Sequence, residues 1–243
     1  MQNIKLTIGY NGAQYHGFQL QENSLTIQEC LERAIHTVFG HPARVIAAGR
    51  TDSGVHAEGQ VVNFRTASQI PVERIPYALN SVLPRDIVVS RAEKVSELFH
   101  ARYSAASKVY TYTIDNAPHP RVLARHCSLH LRVALDLVLM KKAATLLLGR
   151  HDFSSFMGSA SCVKTAVRQL LRLDVDESNG FITITAEANG FLYNMMRIIV
   201  GTLVEVGLGK REPDLQPLLQ AKDRNAAGWT VPPHGLILRE VKY

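Results

Sequence analysis

The chain has 243 residues, and its 46% hydrophobic and 20% charged residues are typical of a soluble globular protein. Its 27 Lys and Arg residues exceed its 21 Asp and Glu residues, giving a net charge of +6. No apolar run approaches the roughly 18–20 residues of a membrane span, and the N-terminal segment has no signal-peptide pattern, which predicts a cytoplasmic protein without a membrane segment.

The three cysteines, Cys30, Cys127 and Cys162, are odd in number and far apart in the sequence. None of them belongs to a CxxC or Cys/His spacing of the kind that binds a metal. We therefore expect buried or free thiols in a reducing compartment, and no structural zinc.

The first half of the chain predicts strands with a helix between them. Alternating polar and apolar residues from Ile4 to Tyr10 predict a strand with one buried face, and a polar loop follows at 11–24. Thr26 to Glu29 form a capping box that starts a helix, and Gly40 ends it. Further predicted elements are strands at 44–48, 60–64 and 87–90 and a short helix at 76–83.

A second unit opens near Ser107. Asn179-Gly180 is a strong turn signal, and it predicts a hairpin of strands at 167–175 and 181–188. The other predicted elements are a strand at 108–114, a helix at 135–148 ended by Gly149, a helix at 193–206 and a final strand at 235–241. Each half mixes strands with helices, which indicates an α+β fold of two similar halves with a cleft between them.

Basic residues are concentrated in the second half. Residues 1–105 carry ten basic and nine acidic side chains, whereas residues 106–243 carry seventeen and twelve. No acidic residue lies between Asp115 and Asp136. The cations and histidines there and just beyond are Arg121, Arg125, Arg132, His119, His126 and His130, then Arg150, Lys164, Arg168 and Arg172. Such a set is either a solvated surface or a patch that neutralises phosphates.

The most unusual local sequence is GRTDSGVHA at 49–57, between two predicted strands. Its glycines permit a tight loop, and loops often carry functional residues. A lone Asp in such a turn usually accepts hydrogen bonds from nearby backbone N–H groups, so Asp52 alone does not establish a function. Arg50 and His56 add a cation and a titratable ring.

This segment resembles the catalytic loop of the tRNA pseudouridine synthase A family, usually GRTDAGVHA, with Ser53 in place of the alanine. Similar stretches follow in the family's order along nearly the whole chain. They are YNG at 10–12 with YHGFQLQ at 15–21, FHARYSA at 99–105, KVYTY at 108–112, HDFSSF at 151–156, FLYNMMRIIVG at 191–201 and GLIL at 235–238. The first stretch departs from the family at Asn11, usually Asp, and at Phe18, usually Trp.

The resemblance implies an enzyme that breaks the N1–C1′ bond of uridine, turns the base over and rejoins it through C5. This is a net isomerisation, so no cofactor and no metal are expected. By resemblance Asp52 is the essential carboxylate, and three tasks are open to it: attack at ribose C1′, attack at uracil C6, or removal of the C2′ proton. Because burial alone raises the pKa of a carboxyl, a cation is expected beside it, and the family supplies the helix arginine, here Arg197.

Arg197 could be a surface residue of an amphipathic helix, but because positions 193–201 are otherwise mostly apolar we expect a half-buried side chain that requires a partner. By resemblance Tyr110 stacks on the target uracil, whereas we expect Tyr112 to be a core residue with a satisfied hydroxyl. Arg50 would hold the flipped nucleotide out or fill the gap that it leaves. We expect His56 to stabilise the loop by a hydrogen bond.

The family's fold has two ferredoxin-like α/β halves joined through a central, mainly antiparallel sheet, with helices on the outer faces and a cleft between the halves. Its members are homodimers in which one tRNA contacts both subunits, and their targets are uridines 38, 39 and 40 of the anticodon arm. On this basis residues 1–105 would carry the catalytic loop, and residues 106–243 would carry a basic RNA-binding surface.

Two other classes of protein stay open from the residues alone. A non-catalytic binder of structured RNA would have no need of Asp52, Arg50, Tyr110 and Arg197 together. A carboxylate-dependent hydrolase would need a second carboxylate at a defined separation or a metal cluster, and Glu58 is the one other acid near Asp52 in sequence.

Overall fold

The computed structural model describes residues 1–159 and 163–243, which form two compact units. The first unit is Met1–Ala106 with Ile237–Tyr243, and the second is Ser107–Leu236. The strands are β1 (Gln2–Tyr10), β2 (Ile46–Ala47), β3 (His56–Thr66), β4 (Ile87–Val95), β5 (Ser107–Asp115), β6 (Leu129–His130), β7 (Gly149–Asp152), β8 (Val167–Ser178), β9 (Phe181–Ala188) and β10 (Leu236–Lys242). The helices are α1 (Ile27–Phe39), α2 (Ile75–Asn80), α3 (Leu137–Thr145), α4 (Met195–Gly207) and α5 (Gln216–Ala221). The predicted α+β class is confirmed.

In the first unit the strands follow the order β4, β1, β3, β10. The β4–β1 and β1–β3 pairs are antiparallel, and β10 runs parallel to β3. Ile4, Leu6 and Ile8 alternate along β1 and are fully buried, as the predicted one-sided strand requires. The segment of residues 11–20 that follows β1 is called the first loop below.

Local signals set the ends of α1 as predicted. The Thr26 hydroxyl accepts a hydrogen bond from the N–H of Glu29 at 3.3 Å, which satisfies one of the unpaired donors of the first turn. Gly40 follows the helix in the left-handed region with φ of 72°. The Thr26 cap and the glycine stop are therefore confirmed, whereas the side chain of Glu29 pairs with Arg33.

In the second unit the order is β5, β9, β8, β7, all antiparallel, and β6 runs parallel to β5. The predicted hairpin is confirmed: β8 and β9 meet at Asn179 and Gly180, which both have positive φ, 53° and 75°. The helix predicted to end at Gly149 ends instead at Thr145. Gly149 has φ of 100° and begins β7, so this glycine redirects the chain into a strand.

The final strand was predicted as part of the second half, and this is wrong. Residues 237–243 belong to the first unit, where Ile237 and Leu238 pair with His56 and Ala57 of β3. A Cβ on Gly59 would lie 2.2 Å from the carbonyl oxygen of Arg239, so the glycine permits this close approach. Within the described residues, no helix combines the length and apolarity needed to cross a membrane.

Candidate active site

The predicted catalytic loop connects β2 to β3 in the first unit. The N–H of Val55 donates to the carbonyl of Asp52 at 3.1 Å, and Gly54 has φ of 76°, so residues 52–55 form a tight turn that needs its glycine. Asp52 is half-buried and Arg50 is exposed. The loop thus carries the half-buried Asp52 and, two positions before it, the exposed Arg50.

Thr51, the residue before Asp52, is held in place by a hydrogen bond to Tyr10 at the end of β1. The hydroxyl of Tyr10 lies 2.8 Å from Oγ1 of Thr51, and both residues are buried. Gln60 fixes the start of the loop by donating from Nε2 to the carbonyl of Gly49 at 2.9 Å. Burial raises the pKa of Tyr10 to about 12, although its bonds to Thr51 and Gln60 act in the opposite sense. The Tyr10 hydroxyl therefore stays protonated at neutral pH.

The first loop holds the other side of the catalytic turn through Tyr15. The carbonyl of Tyr15 accepts a hydrogen bond from the Ser53 hydroxyl at 3.2 Å and another from the N–H of Gly54 at 3.4 Å. The ring is buried, and its hydroxyl donates to Oδ1 of Asp86 at 2.6 Å. Burial and the neighbouring Asp86 carboxylate both raise the pKa of Tyr15.

Two glycines let the backbones of these loops touch. A Cβ on Gly12 would lie 2.0 Å from the carbonyl oxygen of Val55. A Cβ on Gly17 would lie 2.8 Å from the carbonyl oxygen of Thr51, and Gly17 also has φ of 86°. The N–H of Phe18 donates to the same Thr51 carbonyl at 3.0 Å. Larger residues at either glycine would push the first loop off the catalytic turn.

The predicted role of His56 is confirmed. It is buried, and its Nδ1 accepts the N–H of Gly12 at 3.1 Å. The two departures in the first loop are also accommodated: Asn11 caps a short 3-10 turn by accepting from Ala13, and Phe18 is buried. Sequence reasoning left the role of this loop open. Its contacts with the catalytic segment join residues 33 (Phe18 to Thr51) to 44 (Gly12 to His56) positions apart, beyond the reach of local patterns.

In the second unit, Tyr110 and Tyr112 lie on β5, opposite Ala186 and Ile184 of β9. Tyr112 is fully buried, its hydroxyl donates to the carbonyl of Pro232 at 2.9 Å, and burial raises its pKa. The prediction that Tyr112 is a core residue with a satisfied hydroxyl is confirmed. Tyr110 is also largely buried, and its ring meets the edge of Phe191 at a centroid distance of 4.9 Å.

Arg197 is half-buried near the start of α4, a helix whose apolar residues are all buried. Its Nε donates to the carbonyl of Val231 at 2.7 Å, and its Nη1 donates to Oδ1 of Asn194 at 2.8 Å. The expectation of a half-buried guanidinium with partners is confirmed. Its positive charge acts on Tyr112, where it opposes the effect of burial on the hydroxyl pKa. The predicted residues thus fall in two sets, Arg50 and Asp52 in the first unit and Tyr110 and Arg197 in the second.

A family model described as tRNA pseudouridine synthase matches residues 7–104 and 143–243, which is more than half of the chain and contains Asp52 and Arg197. The chain belongs to the tRNA pseudouridine synthase family. The predicted family and the predicted enzyme class, a tRNA pseudouridine synthase, are confirmed.

Curated relatives of this family are similar over their full lengths. The tRNA pseudouridine synthase A of Thermoanaerobacter sp. strain X514 is 49% identical over 244 residues, covering 100% of both chains. That of Acetivibrio thermocellus is 46% identical over 244 residues, again covering 100% of both. That of Bacillus subtilis strain 168 is 45% identical over 243 residues, 99% of this chain and 98% of the relative.

An enzyme that acts on tRNA needs basic residues that can reach phosphates. In the structure, some of the predicted basic residues contact acidic groups of the protein and others are exposed. Arg121 is half-buried and bound to other protein groups: Nη1 lies 2.9 Å from Oδ1 of the buried Asp115, and the guanidinium lies 4.1 Å from the Phe181 ring centroid. Arg172 pairs with Asp174. Besides Arg172, which is also exposed, the exposed cations of the predicted set are Arg125, Arg132, Arg150 and Lys164. The surface available for phosphates is therefore smaller than the sequence suggested.

Two of the three thiols can be placed. Cys30 is buried, and burial raises the pKa of its thiol, whereas Cys127 is exposed. Cys162 lies outside the described residues. Across residues 1–159 and 163–243, no group of three or more His, Cys, Asp or Glu side chains is arranged to hold a metal ion.

Proposed function

We propose that this protein isomerises uridines 38, 39 and 40 in the anticodon arm of tRNA to pseudouridine, with Asp52 as the catalytic carboxylate. The observation that carries the proposal is the GRTDSGVHA segment itself, a braced turn with a half-buried Asp52, inside a family match that spans both parts of the chain. A carboxylate carried on a backbone turn that its neighbours hold in place suits acid–base or nucleophilic catalysis, which depends on the position of the reacting group.

The reaction itself needs no external reagent. The N1–C1′ bond of uridine breaks, a C5–C1′ bond forms, C5 loses its proton to solvent and N1 gains one, so atoms and electrons balance. An ionised Asp52 serves attack at C1′, attack at C6 and removal of the C2′ proton alike. The proposal commits to the carboxylate and to its ionised state, and all three routes release the hydrogen of C5.

The partner residues follow from the family resemblance and from their surroundings. We assign Arg197 to the ionised carboxylate of Asp52, because a guanidinium beside a carboxyl favours the charged form, and because Arg197 is half-buried and oriented by bonds to the carbonyl of Val231 and the amide of Asn194. We assign Tyr110 to stacking on the target uracil, and the exposed Arg50 to holding the flipped nucleotide.

The proposal includes the family's architecture and assembly. It places two ferredoxin-like halves around a substrate cleft, and it makes the cytoplasmic enzyme a homodimer that binds one tRNA with both subunits. Arg125, Arg132, Arg150 and Lys164 are exposed and supply phosphate contacts. Such contacts read the shape of the anticodon arm, which fits an enzyme that accepts three neighbouring positions.

The test is tritium release from unmodified tRNA labelled at uridine C5, with the wild type and Asp52→Asn. We expect release by the wild type and none by the variant, with tRNA binding retained in both. Asp176→Asn, the same change at an exposed position of β8, serves as the matched control and should keep full activity. Binding without release by the wild type, across a range of tRNAs, would leave a non-catalytic RNA binder.

A further inference from the structure

Asn194 stands at the start of α4 in a conformation that ordinary helix capping does not explain. An N-cap Asn normally has extended backbone angles and accepts a hydrogen bond from the second or third N–H of the helix. Asn194 instead has φ of 58° and ψ of 5°, and its side chain makes no capping bond. Left-handed backbone favours glycine, so an Asn here gives up conformational energy and the usual reward of a cap.

The side chain of Asn194 is directed to Arg197. Its Oδ1 accepts Nη1 of Arg197 at 2.8 Å, within the same helical turn. Close packing holds the amide in place from behind: a Cβ on Gly158 would lie 3.2 Å from Nδ2 of Asn194, and the N–H of Gly158 donates to the carbonyl of Tyr193 at 2.9 Å. The strained backbone therefore aims an amide oxygen at the guanidinium.

The carbonyl of Val231, which also accepts a bond from Arg197, is equally well fixed. The carbonyl of Val231 accepts Nε at 2.7 Å, and the N–H of Val231 donates back to the Arg197 carbonyl at 3.4 Å. The segment before Val231 lies directly on α4, because a Cβ on Gly201 would lie 1.9 Å from the carbonyl oxygen of Trp229. Two bonds to different edges of a planar guanidinium set both its plane and its direction.

We propose that Asn194 is a positioning residue, whose amide fixes the direction in which the Arg197 guanidinium presents its charge. The amide of Asn194 and the carbonyl of Val231 are neutral, so these two bonds orient the guanidinium and neither of them cancels its charge. Glycine would suit the backbone better but would remove the amide. The inference rests on the proposed function, because it acts through the assigned role of Arg197.

The decisive variant is Asn194→Gly, which keeps the backbone conformation and removes the side chain. Loss of one bond to a charged group predicts a fall in kcat of about tenfold, with KM for tRNA within about twofold of the wild type. Asn179→Gly is the matched control, since Asn179 has φ of 53° in the β8–β9 turn of the same unit. It should keep full kcat, and the two variants should have similar Tm.

The cycle with Arg197→Lys separates the two proposals. If Asn194 acts through Arg197, Asn194→Gly lowers kcat much less in the Arg197→Lys background than in the wild type. Wild-type kcat for Asn194→Gly, beside reduced kcat for Arg197→Lys, would overturn the positioning role and leave the proposed function intact. Wild-type kcat for Arg197→Lys would overturn both the assigned role of Arg197 and the positioning role. Equal losses in the two backgrounds would show that Asn194 acts independently of Arg197.

Discussion

The hydroxyl of Tyr15 lies 2.6 Å from Oδ1 of Asp86, while the carbonyl of the same tyrosine accepts hydrogen bonds from Ser53 and Gly54. One residue thus links the start of β4 to the turn that follows Asp52. Asp86 also accepts the N–H of Asn11 with its own carbonyl, so the first loop is tied to the strand at two points. The backbone turn that carries Asp52 is therefore held by contacts that lie outside its own segment.

Removing the Tyr15 hydroxyl should weaken catalysis more than binding. Tyr15→Phe keeps the buried ring and loses the bond to Asp86, which costs about 1 kcal/mol of stability because the half-exposed carboxylate can be rehydrated. A looser first loop lets the turn around Asp52 shift, so we expect kcat to fall by roughly 3–10-fold with little change in KM for tRNA.

Tyr243→Phe is the matched control for this variant. The Tyr243 hydroxyl donates to the carbonyl of Ala101 at 2.9 Å in the same unit. It should lower Tm to a similar extent and leave kcat unchanged. Equal kcat values in Tyr15→Phe and the wild type would mean that the Asp86 bond stabilises the fold without orienting Asp52.

Gly17 offers a second test of whether the contacts between the first loop and the catalytic turn position Asp52. Gly17→Ala places a Cβ 2.8 Å from the Thr51 carbonyl oxygen and forces a side chain into φ of 86°. Gly40→Ala meets the same kind of backbone, φ of 72°, with nothing within 4 Å of the new Cβ. Both should lose about 1 kcal/mol of stability to the backbone conformation, and Gly17→Ala should lose more. In tritium release, a fall in kcat of roughly tenfold or more is expected for Gly17→Ala alone. Similar kcat in the two variants would argue that the contact of the first loop with the catalytic turn is not needed for catalysis.

Elements governed by neighbouring residues could be predicted from the sequence. The Thr26–Glu29 cap, the Gly40 stop and the Asn179-Gly180 turn each depend on residues within a few positions of one another, and all three are confirmed. The half-buried state of Arg197 also followed locally, since an Arg within an apolar helix has few other places to lie.

Features that depend on distant pairing could not be predicted. The final strand joins β3 through Ile237 and His56, which are far apart in sequence, and the pattern of β10 alone does not name its neighbour. The pairing of Arg121 with Asp115 was also not predicted, although only six positions separate the two residues, because the sequence does not show that Asp115 is buried. The contacts between the first loop and the turn that carries Asp52 also join residues far apart in sequence.

Asp152 should contribute to the loss of folding stability as the pH is lowered. Hydrogen bonds from Ser154, opposed by burial and aided by Lys222, lower the pKa of this carboxyl below its ordinary value. A lowered pKa in the folded state means that the contribution is complete above the unfolded pKa, about 4, and is lost as pH falls through the folded pKa. Asp152→Asn should therefore lower Tm at pH 7 and flatten the fall of Tm below about pH 4. Thermal unfolding across pH, with Asp176→Asn as control, measures this. Parallel Tm curves for Asp152→Asn and the wild type would contradict the expectation.

Arg121 and Arg125 lie in the same loop, and replacing them with alanine should have different effects on stability and on tRNA binding. Arg121→Ala strands the carboxylate of Asp115, whose side chain is 2% exposed, and should cost at least about 2 kcal/mol of stability. Arg125→Ala removes an exposed cation, so stability should change by less than about 0.5 kcal/mol. If Arg125 contacts a phosphate, the slope of log affinity for tRNA against log salt should fall by about 1 in magnitude.

Denaturant unfolding and tRNA titrations at several salt concentrations separate these outcomes. A stable Arg121→Ala protein with a reduced salt slope would return Arg121 to the RNA-binding surface, against its engagement with Asp115 and Phe181. An unchanged salt slope for Arg125→Ala would remove Arg125 from the phosphate contacts. The expected pair of results would show that this loop uses one arginine to compensate a buried carboxylate, and that this internal bond holds the loop that presents the other to RNA.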